Sequence, residues 1–132
     1  SSTLSNINID SKYFKKKKKK LKFFSKKKYY QNINIEIKTL YEYLNLRLIK
    51  KIDFLKIDTE GYEFKVLIGL KDKLQKVKIV LFEHHYDDML KKGYTFSDIN
   101  ALLVKNNFKQ IYKIKMPFRK TFEYIYINKK FN

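Results

Sequence analysis

The sequence has no cysteine, almost no arginine and no long hydrophobic run. Without cysteine, the chain can form neither a disulfide scaffold nor a zinc site with thiolate ligands. No apolar run approaches the roughly 20 residues that a membrane-spanning helix needs, so we predict no membrane span. The 132 residues fit one compact domain, and a hydrophobic fraction of 44% is enough for a buried core.

The strong positive charge comes from lysine and is concentrated in one segment. The chain has 31 Lys and Arg residues against 13 Asp and Glu, a formal net charge of +18. Residues 11–28 contain eleven lysines and no acid, and we interpret them as a basic low-complexity insertion. Only Arg47 and Arg119 are arginines, whereas proteins that read nucleic acids usually use arginine for bidentate contacts. A nucleic-acid partner is therefore not expected, although non-specific attraction of phosphate groups stays open.

Four segments before residue 50 have recognisable patterns. Residues 1–10 read as a loop, and residues 11–28 as a helix with lysines around an apolar side. Asn32–Leu40 alternates isoleucine with polar residues, which is typical of a half-buried strand. Thr39 is placed to cap a helix over residues 40–48, with Leu44 and Leu48 among its inward side chains.

The centre of the chain predicts a βαβ unit. Ile52–Asp58 and Lys78–His84 are short apolar runs, and residues 61–74 between them have helical spacing, with Leu67 and Ile68 inward. Continuous apolar runs are typical of parallel strands covered on both faces. A right-handed crossover then brings the carboxyl ends of both strands to the same edge of the sheet.

The last third of the chain predicts a capped helix followed by an antiparallel hairpin. Thr95 or Ser97 can cap a helix whose apolar side includes Ile99 and Leu103. Residues 108–115 and 122–128 alternate in polarity and are joined by a short loop, as in a hairpin. Together these patterns predict the α/β class.

Titratable residues follow both central strands where each strand ends. Asp58, Glu60 and Gly61 come after the first strand, and Glu83 and His84 end the second. Ligands of open parallel sheets bind outside the carboxyl ends of the strands, so these residues are the candidate site. The glycine permits a sharp turn at a helix start, where free N–H groups favour an anion.

A plainer interpretation of the two glutamates stays open, and a metal site is the other alternative for this cluster. Glu60 and Glu63 lie where acids stabilise a helix start without any further role. A metal site is conceivable from the polar cluster Glu83, His84, His85, Asp87 and Asp88. However, adjacent histidines on a strand point to opposite faces and do not converge on one ion, so we predict no metal.

Residues 52–84, IDFLKIDTEGYEFKVLIGLKDKLQKVKIVLFEH, resemble the second half of FkbM-type methyltransferases. That family has a strand with Lys-Ile-Asp-x-Glu-Gly-x-Glu, a helix with Val-Leu-x-Gly and a strand that ends in Glu. The matching positions are Lys56, Ile57, Asp58, Glu60, Gly61, Glu63, Val66, Leu67, Gly69 and Glu83. The resemblance is looser at Ser1-Ser2-Thr3-Leu4, at the segment leading into Thr39-Leu40, and in the final hairpin.

The resemblance implies the C-terminal half of a class I, Rossmann-like methyltransferase fold, with parallel strands and a C-terminal antiparallel hairpin. It implies transfer of a methyl group from S-adenosyl-L-methionine to a hydroxyl group of a sugar or metabolite, in the cytoplasm. Catalysis would then involve Asp58, Glu83 and His84, and cofactor binding would involve Asp58, Glu60 and Gly61.

The family's glycine-rich cofactor turn has no counterpart among the three glycines of the sequence, none of which stands in a G-x-G arrangement. We therefore expect a partial domain without the N-terminal cofactor-binding strands, and an isolated chain that is inactive. The alternative is a non-enzymatic basic module that binds nucleic acid or anionic lipid through residues 11–28.

Overall fold

Four strands and three helices of the α/β fold position the candidate site. The structure is a computed structural model that describes residues 5–22 and 33–131. In chain order the elements are β1 (Asn6–Ile7), α1 (Lys12–Lys22), α2 (Leu40–Leu46), β2 (Ile52–Ile57), α3 (Glu63–Gly69), a 3₁₀ helix (Lys71–Lys76), β3 (Val77–His85), β4 (Leu90–Lys91), α4 (Phe96–Lys105), β5 (Phe108–Lys115), β6 (Thr121–Asn128) and a 3₁₀ helix (Lys129–Phe131).

The main sheet has the strand order β2-β3-β6-β5 and mixes parallel with antiparallel pairs. β2 and β3 are parallel, from the pair Ile52 and Val77 to the pair Ile57 and Phe82, which confirms the predicted βαβ unit. β6 is antiparallel to both β3 and β5, so the predicted hairpin is also confirmed. β1 and β4 form a separate two-stranded antiparallel sheet, so the prediction of a loop over residues 1–10 is wrong at Asn6–Ile7.

One face of the main sheet carries the hydrophobic core. Phe82 of β3 is fully buried and stacks against Tyr124 and Tyr126 of β6, with ring centroids 5.3 and 5.8 Å apart. Ile99 and Leu103 of α4 are buried in the same core. The other buried members of this cluster are Leu44, Ile57, Leu67, Leu70, Leu74, Val77, Val80 and Phe108. Full burial of one such large side chain stabilises a fold by about 1.5–3 kcal/mol.

The opposite face of the sheet is more open. Phe54 of β2 is 53% exposed, while Ile79 and Leu81 of β3 are only half-buried. The buried apolar residues of α2, α3 and α4 all belong to the core on the first face. The expectation that parallel strands are covered on both faces is therefore wrong at β2 within the part of the chain that the structure describes.

Three predicted features at element ends are also wrong. The alternating segment 33–39 is not a strand, and Ile33 is 71% exposed, because no described strand pairs with it. Leu48 is exposed rather than inward, since α2 ends at Leu46 and Leu48 has a positive φ of 53°. The helix predicted over residues 61–74 ends at Gly69 and continues as a 3₁₀ helix, and Ile68 is exposed.

Both predicted helix caps are formed by threonine. The Thr39 hydroxyl accepts from the Glu42 N–H at 3.2 Å, and the Glu42 carboxylate accepts from the Thr39 N–H at 3.0 Å. Thr95 makes the same reciprocal pair with Asp98 at the start of α4, at 3.4 and 2.7 Å. Such capping boxes satisfy N–H groups that have no partner within the helix. Along the described residues, no helix has the length and apolar character needed to cross a membrane.

Replacing Thr95 with alanine is expected to lower the free energy of unfolding by about 1 kcal/mol, because the first turn of α4 loses its cap. Ser97→Ala, at an exposed position in the same turn, is the matched control and should change stability by less than about 0.5 kcal/mol. Urea denaturation followed by circular dichroism measures both. Equal losses in the two variants would contradict the capping role.

Candidate functional site

The carboxyl ends of β2 and β3 lie side by side, as the crossover argument predicts. Ile57 pairs with Phe82 in the parallel register, so Asp58 and Glu83 each follow directly at the same edge. Asp58 Oδ2 accepts from Lys56 Nζ at 2.9 Å, and the Asp58 side chain remains 46% exposed. Its carboxylate is therefore open to a ligand at this edge.

Glu63 holds the turn that follows β2. Its Oε1 accepts from the N–H groups of Thr59 at 3.3 Å and Gly61 at 2.9 Å, and from the Thr59 hydroxyl at 3.2 Å. The Tyr94 hydroxyl donates to Oε2, and burial together with this hydrogen bond raises the pKa of Tyr94. Because Glu63 is 1% exposed and its oxygens accept these four bonds, its part in the site is structural.

The turn holds Glu60 and Gly61 in left-handed backbone conformations, with φ values of 50° and 95°. A Cβ atom at Gly61 would approach Leu90 Cδ1 and Ser5 Oγ to 3.1 Å, so only glycine fits there. Glu60 has a side chain, so its left-handed backbone conformation costs roughly 1–2 kcal/mol, which the surrounding contacts must offset. The conformation directs Glu60 toward β3, where Glu60 Oε2 lies 3.2 Å from His85 Nε2.

Glu83 and His85 lie on the same face of β3 because they are two residues apart on a strand. Glu83 Oε2 lies 3.2 Å from His85 Nε2, and His85 Nδ1 lies 3.0 Å from the Thr121 hydroxyl on β6. Burial raises the pKa of Glu83, and His85 opposes that shift. This pair, with Glu60, forms a buried polar group directly beside Asp58.

His84 lies on the opposite, helix-covered face of the sheet. Its ring centroid is 4.8 Å from that of Tyr86 and 6.0 Å from those of Tyr94 and Phe96. Burial lowers the pKa of His84 to about 4, and the positive charge of Lys92 contributes. His84, which the resemblance implied for catalysis with Asp58 and Glu83, therefore lies on the other face of β3 from Glu83, and the histidine beside Glu83 in space is His85.

Sequence reasoning missed the contact between Glu60 and His85. The alternation of the strand already places Glu83 and His85 on one face, which was the available signal. The approach of Glu60 to His85 could not be predicted from the sequence, because it depends on the left-handed turn. Of the other acids weighed for a metal, Asp87 has its Oδ2 4.0 Å from His85 Nδ1, and Asp88 is exposed.

The part of the chain that the structure describes does not form a glycine-lined pocket for S-adenosyl-L-methionine. The Gly61 N–H already donates to Glu63 Oε1 at 2.9 Å, so it is not free to bind an anion. A Cβ atom at Gly69 would lie 3.9 Å from the nearest atoms of the Thr39 side chain, in ordinary contact. Gly61 and Gly69 therefore lie against neighbouring side chains, and Gly93 faces open space.

The family comparison bears directly on this edge. A family model described as the methyltransferase FkbM domain matches residues 2–110, well over half of the chain. The chain belongs to the FkbM methyltransferase domain family. This confirms the resemblance seen in residues 52–84, and the family match includes β2, β3 and the turn between them. The match ends within β5, before β6. No curated protein and no solved structure matches the chain.

The lysine-rich segment is described only in part. Lys12, Lys15, Lys16, Lys18 and Lys19 are exposed on α1, and residues 23–28 lie outside the described residues, as does the Ser1–Leu4 resemblance. The family match runs through this segment without assigning it a role. Binding of nucleic acid or anionic lipid through residues 11–28 thus stays the alternative hypothesis.

Proposed function

We propose that the β2–β3 edge is the acceptor side of an S-adenosyl-L-methionine-dependent methyltransferase that methylates a hydroxyl group of a sugar or metabolite. The observation that carries the proposal is the convergence of Asp58, Glu60, Glu83 and His85 at the carboxyl edge of two parallel strands, inside the family-matched region. A cytoplasmic setting and a small-molecule or glycan acceptor are part of the proposal.

The strand order supports this assignment of the fold. In the second half of a class I Rossmann-like fold, a βαβ unit is followed by a hairpin whose last strand is antiparallel to the rest. Here β6 runs antiparallel between β3 and β5, and β5 therefore runs in the same direction as β2 and β3. The site edge then corresponds to the edge at which ligands of such sheets bind.

Methylation of a hydroxyl group requires that the acceptor oxygen be aligned and that its proton be removed. Asp58 is the exposed carboxylate at the edge, so we assign it to accept that proton. Glu83 and His85 form a buried polar surface beside Asp58, and the acceptor oxygen would lie against this surface. The methyl group would come from S-adenosyl-L-methionine, for which the described residues form no glycine-lined pocket.

The test is methyl transfer by the complete reading frame that encodes this chain. The expected result is incorporation of labelled methyl from S-adenosyl-L-methionine into hydroxyl compounds, and not into matched amines or thiols. The 132-residue chain alone should bind the donor weakly or not at all by calorimetry. Transfer only to amines or thiols, or no transfer to any acceptor in a broad panel of sugars and hydroxylated metabolites, would overturn the proposal.

A further inference from the structure

Three side chains at the β2–β3 edge converge around one point. Glu60, Glu83 and His85 each offer one ligand atom, and these atoms all lie within 4.8 Å of one another. His85 Nε2 is 3.2 Å from one oxygen of each carboxylate. Ligand atoms on neighbouring positions around an ion at about 2.1 Å are separated by about 3 Å, so this spacing suits a shared cation.

Among the described residues, the buried Nε2 nitrogen of His85 finds no hydrogen-bond partner. The side chain is 4% exposed, and neither carboxylate contact has the geometry of a hydrogen bond to Nε2. When Nδ1 donates to the Thr121 hydroxyl, Nε2 presents a lone pair to two carboxylates. A buried lone pair facing two anionic groups is costly unless a positive charge lies between them.

We propose that Glu60, Glu83 and His85 bind a first-row divalent cation such as Mn²⁺ or Zn²⁺, and that Thr121 orients His85. Imidazole and carboxylate donors together suit these ions, and the chain has no thiolate that would compete. A hydroxyl group on the second ring nitrogen is the kind of outer contact that fixes a metal-binding histidine.

Three protein ligands leave coordination positions open, as in catalytic metal sites. If Asp58 accepts the proton of an acceptor hydroxyl, a cation bound by Glu60, Glu83 and His85 would hold the oxygen of that hydroxyl and favour loss of its proton. This role rests on the proposed function, whereas cation binding itself does not. The sequence analysis predicted no metal because the adjacent histidines point to opposite faces. That prediction did not include Glu60, which the left-handed turn brings to the site.

The test titrates the untagged 132-residue chain with Mn²⁺ and follows free Mn²⁺ by electron paramagnetic resonance. We expect one ion per chain, with affinity reduced by about 100-fold or more in His85→Gln and in Glu83→Gln. Thr121→Val should weaken binding by about 10-fold or more, as other outer-contact changes do. Asp88→Asn, at an exposed acid three residues from His85, is the matched control and should leave affinity unchanged.

A second measurement, on the wild-type chain, tests the cation site even if the variants fail to fold. In the wild-type chain, Mn²⁺ should broaden the NMR signals of His85 and Thr121 beyond detection and broaden those of Asp53, near the other end of β2, much less, because paramagnetic broadening falls steeply with distance. Absence of stoichiometric binding, an equal loss in Asp88→Asn, or a His85 ring that is protonated on both nitrogens and insensitive to Mn²⁺ would overturn the cation site. Because no methyl transfer is measured, failure of the proposed function would not affect these readouts.

Discussion

Replacing Glu63 with alanine is expected to lower the free energy of unfolding by about 4 kcal/mol. The substitution leaves the N–H groups of Thr59 and Gly61 and the hydroxyls of Thr59 and Tyr94 without their acceptor. A buried donor that loses its partner costs about 1–3 kcal/mol, and of the four donors affected here that of Gly61 is buried and the other three are partly buried. The effect on stability is large because a domain of this size is stabilised by only about 5–15 kcal/mol.

Two further variants make the Glu63 prediction specific. Glu63→Gln retains one acceptor oxygen and should lose clearly less stability than Glu63→Ala. Glu36→Ala is the control, because Glu36 is exposed and its pair with Lys38, at 3.3 Å, lies on the surface. Such a pair contributes little, so its loss should cost less than about 1 kcal/mol. Urea denaturation of all three decides the matter, and a Glu63→Ala loss no larger than that of Glu36→Ala would refute the structural role.

The βαβ unit could be predicted from the sequence because its signals are local. The apolar runs, the short turn with Gly61 and the helical spacing after it all lie within about 30 residues. The capping boxes at Thr39 and Thr95 are equally local, since each joins residues three positions apart. The parallel pairing then follows from the handedness of the crossover.

The failures concern contacts between distant parts of the chain. The isoleucines of residues 33–39 alternate as in a strand, but a strand also requires a neighbour, which alternation does not specify. The position of Glu60 beside His85 depends on a positive φ at Glu60, and that in turn depends on the contacts of Glu63. Choosing His85 over His84 requires knowing which face of β3 the helices cover.

Asp58 is expected to show the largest effect on activity, and β2 contains its own control. Lys56–Asp58 and Lys51–Asp53 are both ion pairs between residues two apart, with distances of 2.9 and 2.6 Å. They share the same chemistry and are both open to solvent, but only Asp58 follows the carboxyl end of the strand. Comparing Asp58→Asn with Asp53→Asn therefore separates the effect of the position at the sheet edge from the effect of removing a carboxylate charge.

The decisive measurement is kcat/KM for labelled methyl transfer by the complete reading frame carrying each substitution in turn. Loss of a group that accepts a proton in the transition state lowers the rate by about 100-fold or more. We predict a loss of that size in Asp58→Asn and an unchanged rate in Asp53→Asn, with both variants as stable as the parent. Equal rates in the two variants would contradict the assignment of methyl transfer to the β2–β3 edge.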